Sequence, residues 1–249
     1  DEMTFYHPMF LSNLIDNLNK REYKLEVAVI TRILDKSNLE KYLLKNLNKL
    51  NLYEILFLSL KRITFPILNL FTRYFGVYYS VESVLKIKKI KFFKVKFDIN
   101  EEIYLKKIIE YKPDIIISSC STIFNKKLLS IPKFGCINRH SSLLPSYGGL
   151  CPIFHSIADG QKISGVTIHK METKIDTGQI LAQKKTNNED NNLSKIYKKC
   201  FIISSDLVIE AIDNLIAKKF ITNNYQRSYF SFPDQKKWEM FRNNNGKFI

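Results

Sequence analysis

Residues 114–119, DIIISS, and 134–140, FGCINRH, decide the fold. The first is a bare run of β-branched residues with no polar alternation, which is the pattern of a strand covered on both faces in a parallel sheet. The second reads as another strand. Upstream, KFFKVK (91–96) alternates as a strand does, and EEIYLKKIIEYK (101–112) is an amphipathic helix with acids in its first turn, ended by Pro113. Strand, helix and strand at this rhythm predict βαβ units and a doubly wound, mostly parallel α/β sheet. In such sheets ligands sit beyond the carboxyl ends of the strands, where residues 119–124 and 138–149 fall.

Working outward, FLSNLIDNLN (10–19) has helical spacing and leads to the β-branched run LEVAVIT (25–31). Residues 37–75 are Leu-rich with helical periodicity, interrupted at Pro66. Past the strand at 134–140, CPIFHSIADG (151–160) reads as a helix closed by Gly160. SGVTIHKM (164–171) and QILAQKKT (179–186) read as strands bracketing ETKIDTG, and 193–217 as a last long helix. The expected organisation is one α/β domain over 1–219, with a helical insertion at about 37–75, and a small tail element over 220–249. The start, DEMTFYHP, lacks an initiator Met and an apolar strand, as if a few N-terminal residues were missing.

The chain has 249 residues, 45% hydrophobic and 25% charged, as expected of a globular protein, but a net charge of +15. Its lysines are scattered, so this reads first as a solvated surface, and second as a field for acidic partners. Cys120, Cys136, Cys151 and Cys200 form no C-x-x-C pair and lie in or beside apolar runs, which predicts free thiols in a reducing cytoplasm and no metal site. No signal peptide is visible. The apolar region 52–75 is broken by Lys61, Arg62 and Pro66, against a simple membrane span. It reads as a helical pair packed on the sheet or in a homodimer, or as an amphipathic segment on a membrane, with Lys61, Arg62 and Arg73 among the headgroups.

Residues 138–149, NRHSSLLPSYGG, gather an Asn, a His, a Pro and two adjacent Gly in a chain with only 8 Gly and 4 His. Followed by GVTIHKM and IDTGQIL, this order resembles the formyltransferase family that uses 10-formyltetrahydrofolate, which includes methionyl-tRNA, glycinamide-ribonucleotide and sugar N-formyltransferases. The match is densest from Asp114 to Gln183. The resemblance implies a Rossmann-like formyltransferase fold and a catalytic trio of Asn138, His140 and Asp176. The residue types suit formyl transfer. An imidazole titrates near neutral pH and can carry a proton from the attacking amine. An amide two residues away, on the same strand face, can donate to the developing oxyanion. A carboxylate can orient the imidazole. The resemblance also implies that Ser142, Leu143, Leu144 and Pro145 line the folate site, and that Ser121, Thr122 and Ile123 flank the pterin.

There are departures from the family pattern. Arg139 stands where most members have an apolar residue, Gly148 where many have Arg, and Cys151 where an apolar residue is usual. His155 and His169 read as structural or merely near the site, and His7 as a residue able to touch the acceptor. The tRNA-specific members carry a C-terminal barrel that the thirty or so residues after the last long helix are too few to form. The expected acceptor is therefore a small-molecule amine, most simply a nucleotide-linked amino-sugar. A methionyl-tRNA formyltransferase without the barrel, and a non-catalytic folate-fold binding protein, are the alternatives.

Overall fold

The computed structural model describes residues 6–31, 41–42, 44–71 and 78–249. In chain order the helices are α1 (His7–Lys20), α2 (Leu52–Leu70), α3 (Val81–Ile87), α4 (Glu102–Glu110), α5 (Lys126–Leu129), α6 (Pro152–Ala158), α7 (Leu193–Ile216) and α8 (Gln235–Asn243). The strands are β1 (Ala28–Ile30), β2 (Phe92–Lys94), β3 (Ile115–Ser118), β4 (Gly135–His140), β5 (Gly148–Gly149), β6 (Ile163–Lys170), β7 (Ile180–Asn187) and β8 (Tyr229–Phe230).

The α/β architecture is the expected one. β1 and β2 pair in parallel, and so do β3 and β4. The main ladder then continues β3-β4-β6-β7, with β6 antiparallel to β4 and β7 antiparallel to β6. The reversal at β6–β7 has a simple cause: segment 171–179 is too short for the crossover that a parallel return requires.

Helices cover both faces, as double winding requires. On one side α1, α6, α7 and α8 bury Leu14, Phe154, Val208 and Phe241 against Ile137, Val166, Ile168 and Leu181 of the sheet. On the other, Leu105 and Ile108 of α4 and Leu128 of α5 pack on Phe93 and Cys136. Ile137 and Cys136 are neighbours on β4, so the alternation of one strand feeds both cores. Asn192 caps the 24-residue α7, its side chain accepting from the Lys195 amide at 3.0 Å. Between β1 and β3 lies a mostly apolar cavity of about 650 Å³, reached by His7, Ser118 and Ser119 at one end.

Within the expected insertion, residues 37–40, 43 and 72–75 lie outside the described ones. The rest forms the short 3₁₀ turn Leu47–Lys49 and α2, which runs through Pro66 rather than breaking there. Its N-terminus is fixed by a reciprocal capping box between Asn51 and Glu54. Glu54 is almost fully buried and is held by two bonds from Arg242, at 3.0 and 2.6 Å, and by the Phe248 amide at 2.9 Å. Burial would raise its carboxyl, but these donors outweigh burial and lower it. The outward face of α2 packs on no sheet: Leu52, Leu56, Leu60, Ile63 and Leu70 are exposed.

The Glu54–Arg242 pair joins α2 to α8, so Arg242→Ala leaves a buried carboxylate without its partner. We expect a loss of about 3 kcal/mol or more in urea unfolding. Glu54→Gln, which keeps a neutral acceptor for the Phe248 amide, is expected to cost less.

Candidate active site

β4 is the centre of the site. Its pairing places Asn138 beside Ser118 of β3 and opposite His169 of β6, and His140 opposite Thr167. Residues two apart share a face, so Asn138, His140, Thr167 and His169 form one polar patch. Arg139 points the other way. Its guanidinium bonds Ser204 and Ser141, each at 2.8 Å, and stacks 3.6 Å above the Phe201 ring. Burial lowers it to about 10. It therefore does not stand in for the Arg expected at Gly148.

Two loops close on this patch. The turn between β6 and β7 brings in Asp176, at a left-handed φ of 51°. One carboxylate oxygen, Oδ2, accepts the Gly149 amide at 2.8 Å and lies 3.6 Å from His140 Nδ1. The other, Oδ1, lies 3.4 Å from His169 Nε2. Gly149 is the residue this arrangement needs: its φ is +87°, and a Cβ there would collide with the Phe230 carbonyl. Burial by itself would raise the Asp176 carboxyl. The adjacent His169 ring, the neighbouring His140 and the Gly149 amide outweigh it and hold the carboxyl at about 2, down from 3.8.

His140 is almost fully buried, and its Nε2–H donates to the Tyr147 carbonyl at 2.9 Å. That bond assigns the neutral tautomer and leaves the lone pair on Nδ1, facing Asp176. Burial pushes the imidazole below 6.5, and Asp176 and the Tyr147 carbonyl pull it back only in part. At neutral pH the ring is a base, not an acid. Asn138 Nδ2 is 3.4 Å from His169 Nε2, and its Oδ1 is buried with no partner among the described residues. With His169 Nε2 accepting from Nδ2, the open atom among the described residues is the Oδ1 acceptor, which a ligand group can engage.

The loop after β4 is held from inside and from the tail. Thr167 Oγ1 donates to the Ser142 carbonyl at 2.6 Å and accepts the Leu144 amide at 3.1 Å. Gln183 and Asn223 both donate to the Leu144 carbonyl at 2.9 Å. The Leu144–Pro145 peptide is cis. Residues 226–230 then strap the loop. Ser146 Oγ bonds the Gln226 carbonyl at 2.6 Å, Ser228 Oγ accepts the Tyr147 amide at 2.8 Å, and β8 pairs with β5.

Of the residues expected to line a folate site, Ser142, Leu143 and Leu144 are buried, and Ser142 Oγ is spent on the Ser146 carbonyl. Ser121, Thr122 and Ile123 follow β3, with Ser121 and Ile123 exposed. The two groups thus stand at the carboxyl ends of adjacent parallel strands.

Sequence reasoning missed the part His169 plays. It touches both Asn138 and Asp176, and its Nδ1–H donates to the Lys170 carbonyl at 2.9 Å. His155 is structural, stacked on Phe230 and donating to the Ser231 carbonyl at 3.0 Å. His7 donates to the Ser119 carbonyl at 2.8 Å, at the end of β3. Burial raises Cys136 and Cys151 to about 12 and Cys200 to about 11, which keeps these thiols protonated at neutral pH.

A family model described as formyl transferase matches residues 72–212. The methionyl-tRNA formyltransferase of Thermodesulfovibrio yellowstonii is 37% identical over 136 residues, 54% of this chain and 44% of the relative. That of Caldicellulosiruptor saccharolyticus is 33% identical over 178 residues, 64% of this chain and 56% of the relative. The chain thus spans about half the length of the curated relatives it matches. Among solved structures, glycinamide ribonucleotide transformylase 1 from Symbiobacterium toebii superposes with a TM-score of 0.59 at 13% identity, covering 87% of this chain and 86% of that one. The sugar 3N-formyl transferase WlaRD, solved in the presence of dTDP and 5-N-formyl-THF, gives 0.55 at 17% identity, covering 90% and 66%.

The depressed Asp176 carboxyl fixes a sign for the pH dependence of stability. As pH falls below 3.8, the unfolded chain takes up the proton first, while the folded chain keeps Asp176 charged down to about 2. The advantage of the wild type over Asp176→Asn should therefore shrink between about pH 4 and pH 2, by on the order of 2 kcal/mol in denaturant unfolding.

Proposed function

The chain belongs to the formyl transferase family, and from that premise we propose that it transfers a formyl group from 10-formyltetrahydrofolate to a primary amine, with Asn138, His140 and Asp176 as the reacting trio. One observation carries the assignment: a buried neutral imidazole, a carboxylate held charged and an amide with a vacant polar atom meet on one face of β4. The open Oδ1 of Asn138 suits an N–H donor of an incoming ligand.

When bound, the folate donor supplies the formyl carbon. We assign its binding to Ser121, Thr122 and Ile123 after β3, and to Ser142, Leu143, Leu144 and Pro145 after β4. The side chains of Ser142 and Leu144 are turned inward, so their part falls to the backbone.

The amine nitrogen bonds to the formyl carbon as the old carbon–nitrogen bond breaks, and one proton moves from the amine to the departing nitrogen. His140 Nδ1 takes up that proton and then passes it to the departing nitrogen. Nε2 is already committed to the Tyr147 carbonyl, and Asp176 beside Nδ1 stabilises the imidazolium that forms. Asn138 donates an N–H of its side-chain amide to the charge developing on the formyl oxygen. His169 and the Gly149 amide keep Asp176 in place.

For the acceptor we favour an amino-sugar on a nucleotide carrier. The solved sugar 3N-formyl transferase shares this fold, and the net charge of +15 suits a diphosphate. A tRNA acceptor is the second reading, favoured by the 37% identity to methionyl-tRNA formyltransferase.

Acceptor-dependent release of tetrahydrofolate tests these assignments, with methionyl-tRNA and a panel of nucleotide-linked amino-sugars as acceptors. Asn138→Ala, His140→Ala and Asp176→Ala should each lower turnover by at least ~100-fold. Near-normal turnover in His140→Ala would end the assignment, and turnover on tRNA alone would replace the sugar.

The pH profile is a separate check. His140 acts as a base and burial lowers it, so kcat/KM should hold its level down to pH 6.5 and fall only below it. A fall centred above pH 7 would contradict a buried neutral imidazole.

A further inference from the structure

We propose that the outward face of α2 rests on an anionic membrane surface. Leu52, Tyr53, Leu56, Leu60, Ile63, Ile67 and Leu70 of this helix are each more than half exposed, as is Phe71 at its end. At 3.6 residues per turn all eight fall within an arc of about 100°. That arc carries no charged side chain. It is the stripe by which a helix normally docks, and here it faces outward.

Charge selects the partner. Residues 41–71 contain the bases Lys41, Lys45, Lys49, Lys61 and Arg62 against a single acid, Glu54. Glu54 is buried and bonded to Arg242, so no carboxylate faces outward from this segment. Lys41, Lys45 and Arg62 are exposed, and so are Leu44 and Leu47. Basic residues flanking an apolar stripe suit an interface of anionic headgroups and acyl chains. A second copy of the chain fits less well, since it would set one +15 charge against another. The helix lies on the surface rather than spanning it, because no helix among the described residues is long and apolar enough to cross a membrane.

The test is cosedimentation with vesicles of equal parts phosphatidylglycerol and phosphatidylcholine, against phosphatidylcholine alone, at low and physiological salt. The double variant Leu56→Glu with Ile63→Glu alters only exposed positions, and its thermal midpoint verifies folding. Ile109→Glu, an exposed position on α4, is the control. The wild type and the control should bind the anionic vesicles, more weakly as salt rises, and the double variant should bind at least ~10-fold less. The proposal is overturned if the wild type stays in the supernatant, or if the folded double variant binds equally well. It is also overturned if light scattering finds a dimer that the double variant dissociates, since a second copy then covers the face.

Discussion

A buried carboxylate needs polar neighbours, and Asp176 gathers them from three parts of the chain. His169 comes from β6, His140 from β4, and the Gly149 amide from the loop between them. The requirement sets local conformation as well. Asp176, Tyr147 and Cys151 all adopt positive φ although none is glycine, a cost that the surrounding bonds must hold in place. The tail takes part through Ser228 and β8, which fix the loop carrying Tyr147 and Gly149. The site is thus assembled by long-range contacts around one charge.

That charge also organises the proposed chemistry. With Nε2 of His140 tied to a carbonyl, the ring has one nitrogen left to work with, and that nitrogen faces the carboxylate. Arg139, between the two polar residues of β4, is sent to the opposite face, where serines and an aromatic ring satisfy it. Strand alternation thus keeps a second strong charge out of the site.

Much of this was legible in the sequence, for identifiable reasons. The runs at 114–119 and 134–140 read as strands because burial on both faces leaves an apolar signature that few other structures share. Asn138 and His140 stood out because residue type and a spacing of two place them on one strand face. His169 did not, because its role depends on the register of β6 against β4 and on an irregularity between Ile168 and His169. The strap at 226–230 was hidden too: β8 has two residues, too few for a periodic pattern. In α2 the apolar period was plain, but periodicity does not say which face is covered. The buried pair of Glu54 and Arg242 answers that, and it lies 188 residues apart in the chain.

The most direct measurement is nitrogen-15 NMR of the histidine side chains, followed through a pH titration with His140 assigned by substitution. The expected result is a neutral His140 at pH 7 in the Nε2–H form, taking its proton on Nδ1 only below 6.5. Asp176→Asn, which removes the charge that favours the imidazolium, should shift that titration lower still. A His140 already doubly protonated at pH 7, or one that titrates identically in Asp176→Asn, would contradict the site described here.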